Sequence, residues 1–119
     1  MNEQAFVGTI MIDCNDLDVM SSFWCRALRL EEKVRHPSHV WLSRLSDRGP
    51  ALALQRVPEP RQGKNRIHLD IGAKDPEAFA EHIISLGGAK VEDHEVEGFR
   101  WSVLADPEGN VFCVTPAEH

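Results

Sequence analysis

The chain has 119 residues and a formal net charge of −6, with 42% hydrophobic and 27% charged residues. That length allows one compact unit, or two very small ones sharing a core, and the acidic balance disfavours nucleic acid and anionic membrane surfaces as partners. Apolar runs fall short of the roughly 18 residues of a membrane span, and the opening MNEQAF lacks a basic-then-apolar leader pattern, so the expected location is the cytoplasm.

The first strand is expected over 6–13, where Ile10, Ile12 and Cys14 share one face and Thr9, Met11 and Asp13 the other. Asp16 then caps a helix whose apolar face runs Leu17, Met20, Phe23, Trp24, Ala27 and Leu28 at three- and four-residue spacing. Strands follow near 33–36, 39–46 and 51–57, with His36 and His39 flanking Pro37 in a turn exposed to solvent. In the last of these, Leu52 and Leu54 alternate with Ala53 and Gln55. The basic stretch from Arg56 to Arg66 is broken by Pro and Gly and reads as a linker over 58–65.

From Arg66 the same grammar returns. A strand is expected over 66–72, with Ile67, Leu69 and Ile71 opposite His68 and Asp70. Asp75 caps a second helix with Pro76 at its first position, Phe79, Ile83 and Leu86 as its stripe, and Gly87-Gly88 at its end. His82, beside that stripe, is expected to be partly buried. Strands near 90–95, 99–105 and 111–115 complete the copy, and Asp106-Pro107-Glu108-Gly109 has the residue order of a type I turn joining the last two. Asp16 and Asp75 stand 59 residues apart, and Trp41 and Trp101 stand 60 apart, so the chain reads as two copies of one βαβββ unit. The expected organisation is a single α+β domain over 1–119, with modules 5–57 and 66–116.

An amphipathic helix covers the greasier face of its sheet, which leaves the mixed face to line a cup. The side chains expected there are Thr9, Gln55, His68, Asp70 and Cys113, with Trp41, Phe99 and Trp101 as apolar walls. The three cysteines, Cys14, Cys25 and Cys113, form no CxxC pair and read as reduced thiols. His94 and His119 belong to no pattern.

The motifs NRIHLDI (65–71) and ADPEGNVFCV (105–114) resemble those of the vicinal oxygen chelate superfamily, which holds glyoxalases, bleomycin-resistance proteins and extradiol dioxygenases. The resemblance spans Phe6 to Thr115 and implies two tandem βαβββ modules forming a curved, cup-like mixed sheet with helices outside. Metal-dependent members are known for ligands on the first and last strands of each module, typically His or Gln, Glu, His and Glu. The matching positions here are Thr9, Gln55 (or its neighbour), His68 and Cys113, so only part of that set is present.

The resemblance implies a small-molecule binding protein, with an organic ligand touching Trp41, Gln55, His68 and Trp101 and the metal site incomplete. The alternative is a metal-dependent lyase, isomerase or dioxygenase, with His68 and Gln55 on a divalent ion (Zn, Ni, Mn or Fe) and Asp70 as base. A third reading is a structural or interaction protein whose cup is filled by side chains. A homodimer is expected, since members of the superfamily often pair and sheet edges gain from being covered.

Overall fold

A computed structural model describes residues 5–117; the readings made on MNEQ and His119 lie outside the described residues. The chain divides into two compact units, one ending at Pro60 and the other beginning at Arg61. Each unit holds one four-stranded mixed sheet and one helix in the order βαβββ.

The first unit runs β1 (Thr9–Cys14), α1 (Leu17–Leu28), β2 (Glu32–Arg35), β3 (His39–Arg44) and β4 (Ala51–Arg56). Its strand order is β1-β4-β3-β2, with β1 parallel to β4 and the other pairs antiparallel. The Asp16 carboxylate accepts from the Val19 N–H at 3.0 Å, satisfying one of the orphan donors of the first turn. At the other end Arg29 takes a left-handed conformation (φ 57°) and its N–H closes on the Cys25 carbonyl. The expected apolar face of α1 is the buried one: Leu17, Met20, Phe23, Trp24 and Ala27 are all under 10% exposed. Beneath them lie Val40, Leu42, Leu52 and Leu54, each at 1% or less, and Phe23 meets Trp24 edge-on at 5.1 Å.

The first strand starts at Thr9 rather than at residue 6, and Phe6 and Val7 are exposed. Its partner sets the limit. The Ala51 N–H bonds to the Gly8 carbonyl, and Pro50 before it has no N–H to extend the ladder. The third strand likewise ends at Arg44, two residues short of the expected 46, because Leu45 bonds to Pro50 in the turn to β4.

The second unit runs β5 (Asp70–Ala73), α2 (Pro76–Ser85), β6 (Ala89–Val96), β7 (Phe99–Ala105) and β8 (Val111–Pro116), in sheet order β5-β8-β7-β6. Again the first and last strands are parallel and the rest antiparallel. Asp75 caps α2 by accepting from Ala78 at 3.0 Å, and Gly87 leaves it with φ 100°. The helix buries only Ala80 and Ile83, over a floor of Leu104, Phe112 and Val114. His82 is exposed, not partly buried as expected, because a step of about 100° from Ile83 turns it off the buried stripe.

The Asp106–Gly109 turn forms as the sequence indicates, with the Gly109 N–H on the Asp106 carbonyl at 2.9 Å. Asp106 is 3% exposed, and its carboxylate accepts from the Glu108 and Asn110 backbone N–H groups and from the Asn110 amide, a structural role. Between β6 and β7 a two-residue turn, Glu97 (φ 51°) and Gly98 (φ 85°), has the positive φ values that suit a hairpin. It closes the Val96–Phe99 pair and so sets His94 directly opposite Trp101.

A second strand, like the first, begins later than expected. The first strand of the second unit starts at Asp70 rather than 66, so His68 sits in the irregular segment that leads into it. The last rung is Cys113 N–H to Leu69 O at 2.8 Å. Beyond it the Asn65 side-chain amide takes the Val111 carbonyl at 3.2 Å, an acceptor that a longer parallel ladder would have used.

Candidate functional site

In each unit the sheet has a helix-covered face and a helix-free face, and alternation decides which side chain goes where. Phe112 and Val114 are buried on the α2 side at 1% and 0% exposure, so Cys113 between them emerges on the opposite face. Asp70 is its ladder partner on β5, and Val103 its partner on β7. His68, two residues before Asp70, turns back toward it: Nδ1 lies 2.9 Å from Asp70 Oδ1.

The outcome is a group of three donors from one unit. One donor atom each from His68, Asp70 and Cys113 lies within 4.8 Å of the other two. The His68 and Asp70 side chains are 51% and 63% exposed, whereas Cys113 is half-buried, so the group is open to solvent on one side and backed by the sheet. Burial pushes the Cys113 thiol up, and the neighbouring Asp70 carboxylate adds to the same effect by its charge and its hydrogen bond. The thiol is therefore protonated at neutral pH, which argues against a resting thiolate nucleophile. All three cysteines are thiols outside any disulfide, as expected.

Aromatic side chains mark the same face of both sheets. In the second unit Trp101 stacks on His94 with centroids 4.9 Å apart and planes at 17°, and Phe99 leans on it at 5.7 Å. His94 is in turn held by Glu92, Nε2 to Oε1 at 3.1 Å. In the first unit Trp41 stacks on His39 at 5.4 Å and meets His36 edge-on at 5.9 Å. Each module thus presents a half-buried indole at the repeat-related position, backed by an imidazole from the same strand in the first unit and from the neighbouring strand in the second.

Of the residues expected on the mixed face, His68, Asp70 and Cys113 come together, and Trp101 and Phe99 stand on the same sheet. Phe99 is 52% exposed, the outermost of the set. Thr9, Trp41 and Gln55 lie on the first sheet in separate rungs: Thr9 beside Ala51, Trp41 beside Ala53, and Gln55 between Asp13 and His39. Hydrogen bonding ties His68 to Asp70. Ala53, expected on the open face, is fully buried, because its methyl group lies low between Met11 and Trp41.

Sequence reasoning missed the histidines. The sequence places His39 at an exposed turn and gives His94 no pattern, yet each stacks on a tryptophan. Counting outward from the Glu97-Gly98 turn would have paired His94 with Trp101. A second feature also escaped. Between α2 and the β6–β7 hairpin lies a cleft of about 570 Å³, bordered by Ala80, Ile84, Asp93, Arg100 and Ser102 and reaching the stacked pair His94 and Trp101 at its margin. Where α1 carries the bulky Phe23-Trp24 pair, the second copy has His82-Ile83 at the 59-residue offset, and the smaller apolar side chain fills less of the space under the helix.

The family model described as a glyoxalase-like domain matches residues 9–115. Among solved structures, the chain is similar to a glyoxalase/bleomycin resistance protein/dioxygenase family enzyme from Burkholderia phytofirmans PsJN, at 20% identity and a TM-score of 0.78 over 96% of this chain and 100% of that one. It is also similar to a glyoxalase-related enzyme from Fulvimarina pelagi, at 16% identity and a TM-score of 0.75 over 96% of this chain and 89% of that one. A third is the E126Q mutant of the fosfomycin resistance protein FosX from Listeria monocytogenes, complexed with Mn(II) and 1S,2S-dihydroxypropylphosphonic acid. There the identity is 15% and the TM-score 0.78, over 98% of this chain and 93% of that one. At these identities the likeness establishes the fold. No curated protein matches the chain.

Proposed function

The chain belongs to the glyoxalase-like domain family, and from that premise we propose that it binds a small organic molecule on the helix-free face of its second sheet. The observation that carries this reading is the gathering of His68, Asp70 and Cys113 on the sheet that also bears the half-buried Trp101. Polar groups that converge beside an aromatic surface fix the orientation of a ligand whose apolar part the indole covers. On the first sheet Trp41 and Gln55 supply the same pair of functions, a flat apolar surface and an amide, with Thr9 adding a hydroxyl.

The four positions that bind metal in members of the superfamily do not fit a hard divalent ion here. They offer one hydroxyl (Thr9), one amide (Gln55), one imidazole (His68) and one thiol (Cys113), and no carboxylate. Binding and orientation are therefore assigned to side chains. The hydrogen-bonded His68–Asp70 pair is the group able to take up or release a proton beside a bound ligand.

Tryptophan fluorescence tests the reading. A library of small carboxylates, phosphonates and phenols is expected to contain molecules that raise the melting temperature and change the emission of Trp41 or Trp101. Trp101→Phe and His68→Ala should each weaken the response while leaving the fold intact. A library without a single hit would count against the proposal, and so would hits whose binding ignores both substitutions.

A second reading, a metal-dependent lyase, isomerase or dioxygenase, is favoured by the same donor group. Activity lost on chelation and restored by a divalent ion in the wild type, but not in His68→Ala, would support it over simple binding.

A further inference from the structure

We propose that His68, Asp70 and Cys113 form a three-donor site for a borderline-soft divalent ion, taking Zn²⁺ or Co²⁺ in preference to Mn²⁺ or Mg²⁺, and lying wholly within the second unit. A donor set poor for a hard ion in its four expected positions contains two groups, an imidazole and a thiol, that suit a softer one, and the structure brings a carboxylate from outside that set to join them.

Geometry favours the site in three ways. Asp70 and Cys113 are ladder partners, and the 2.8 Å bond from Cys113 N–H to Leu69 O fixes their register, so both donors rest on rigid backbone. His68 already lies 2.9 Å from Asp70. Ligand atoms of a tetrahedral zinc site, at about 2.0–2.3 Å from the ion, stand about 3.3–3.8 Å apart. The three donor atoms here lie within 4.8 Å of one another and close that difference by rotation of the two exposed side chains, His68 and Asp70.

The chemistry is balanced without any oxidant. The ion displaces the thiol proton of Cys113 into solvent, and His68 ligates in its neutral form. Three protein donors leave one tetrahedral position open to water or to an oxygen atom of a bound molecule, the layout of a catalytic rather than a structural zinc site.

Titration of the reduced, tag-free apo protein with Co²⁺ tests the inference by absorbance. The expected result is saturation at one equivalent with a thiolate-to-cobalt charge-transfer band. That band should vanish in Cys113→Ser and persist in Cys25→Ser. Affinity should fall on the order of tenfold or more in His68→Ala and in Asp70→Asn. Zn²⁺ should bleach the band stoichiometrically, whereas excess Mn²⁺ should leave it. A wild-type protein that gives no thiolate band, or a band that survives Cys113→Ser, would overturn the proposal. Because the titration uses the metal alone, that failure would leave the organic-ligand reading standing.

Discussion

Among single residues, Ser21 and Glu32 show how local partners set a charge. Ser21 is 2% exposed and donates to Glu32 Oε2 at 2.6 Å, while Arg35 meets the same carboxylate at 2.7 Å. The Arg35 hydrogen bonds first, and the Ser21 bond second, hold Glu32 below the usual glutamate range. Stability from such a group is complete above the ordinary glutamate value and is lost as pH falls through the lower, folded-state value. Thermal melts across the acid range should therefore show Glu32→Gln less sensitive to acid than the wild type, although slightly less stable at neutral pH; parallel curves would deny the carboxylate this role. The effect is expected to be modest, because the Glu32 side chain is 37% exposed and screened by solvent. At the candidate site, period-two alternation was enough to put Asp70 and Cys113 on the open face, since it needs only the strand and its greasy side. It could not pair His94 with Trp101, because that contact depends on the register across a hairpin.

Among the elements, the two helices do unequal work. Trp24 is 1% exposed at the centre of the α1 interface, so Trp24→Ala is expected to cost about 3–5 kcal/mol in chemical denaturation. The end of α2 is tight in a different way. A Cβ on Gly88 would stand 2.5 Å from the Ala105 carbonyl oxygen and 2.6 Å from Ile83 Cγ2, a clash with backbone that cannot yield cheaply. Gly88→Ala should destabilise by about 1–3 kcal/mol, whereas Gly98→Ser, with open space around the turn, strains only the backbone. Denaturant midpoints for the two variants check the contrast, and equal midpoints would mean that α2 can shift to make room. Both helices were legible because their signals are local: Asp16, Asp75, Pro76 and Gly87 announce their own ends. Strand starts were less so. Thr9 and Asp70 begin their strands where Gly8 and Asn65 meet residues 43 and 46 positions away, Ala51 and Val111, and nothing near them in sequence reports this.

For the molecule as a whole, the repeat was the most legible feature. Asp16 with Asp75 and Trp41 with Trp101 mark equivalent places in two βαβββ units, and the structure divides between Pro60 and Arg61. No helix among the described residues is long and apolar enough to cross a membrane. Each sheet has two edges, one formed by its first strand and the other by β2 or β6, and covering such edges is a common reason for chains to pair. We expect light scattering to give twice the chain mass of 13.4 kDa, and a monomer at micromolar concentration would remove that expectation. The cleft under α2 was not legible, since it reflects what the second helix lacks relative to the first. It also provides the sharpest competitor for a ligand. Backbone amide shifts mapped by NMR during titration with a small-molecule fragment library separate the two. A ligand on the helix-free face should perturb Asp70, Val103 and Cys113, which do not border the cleft; perturbations gathered instead at Ala80, Ile84 and Asp93 would contradict that placement.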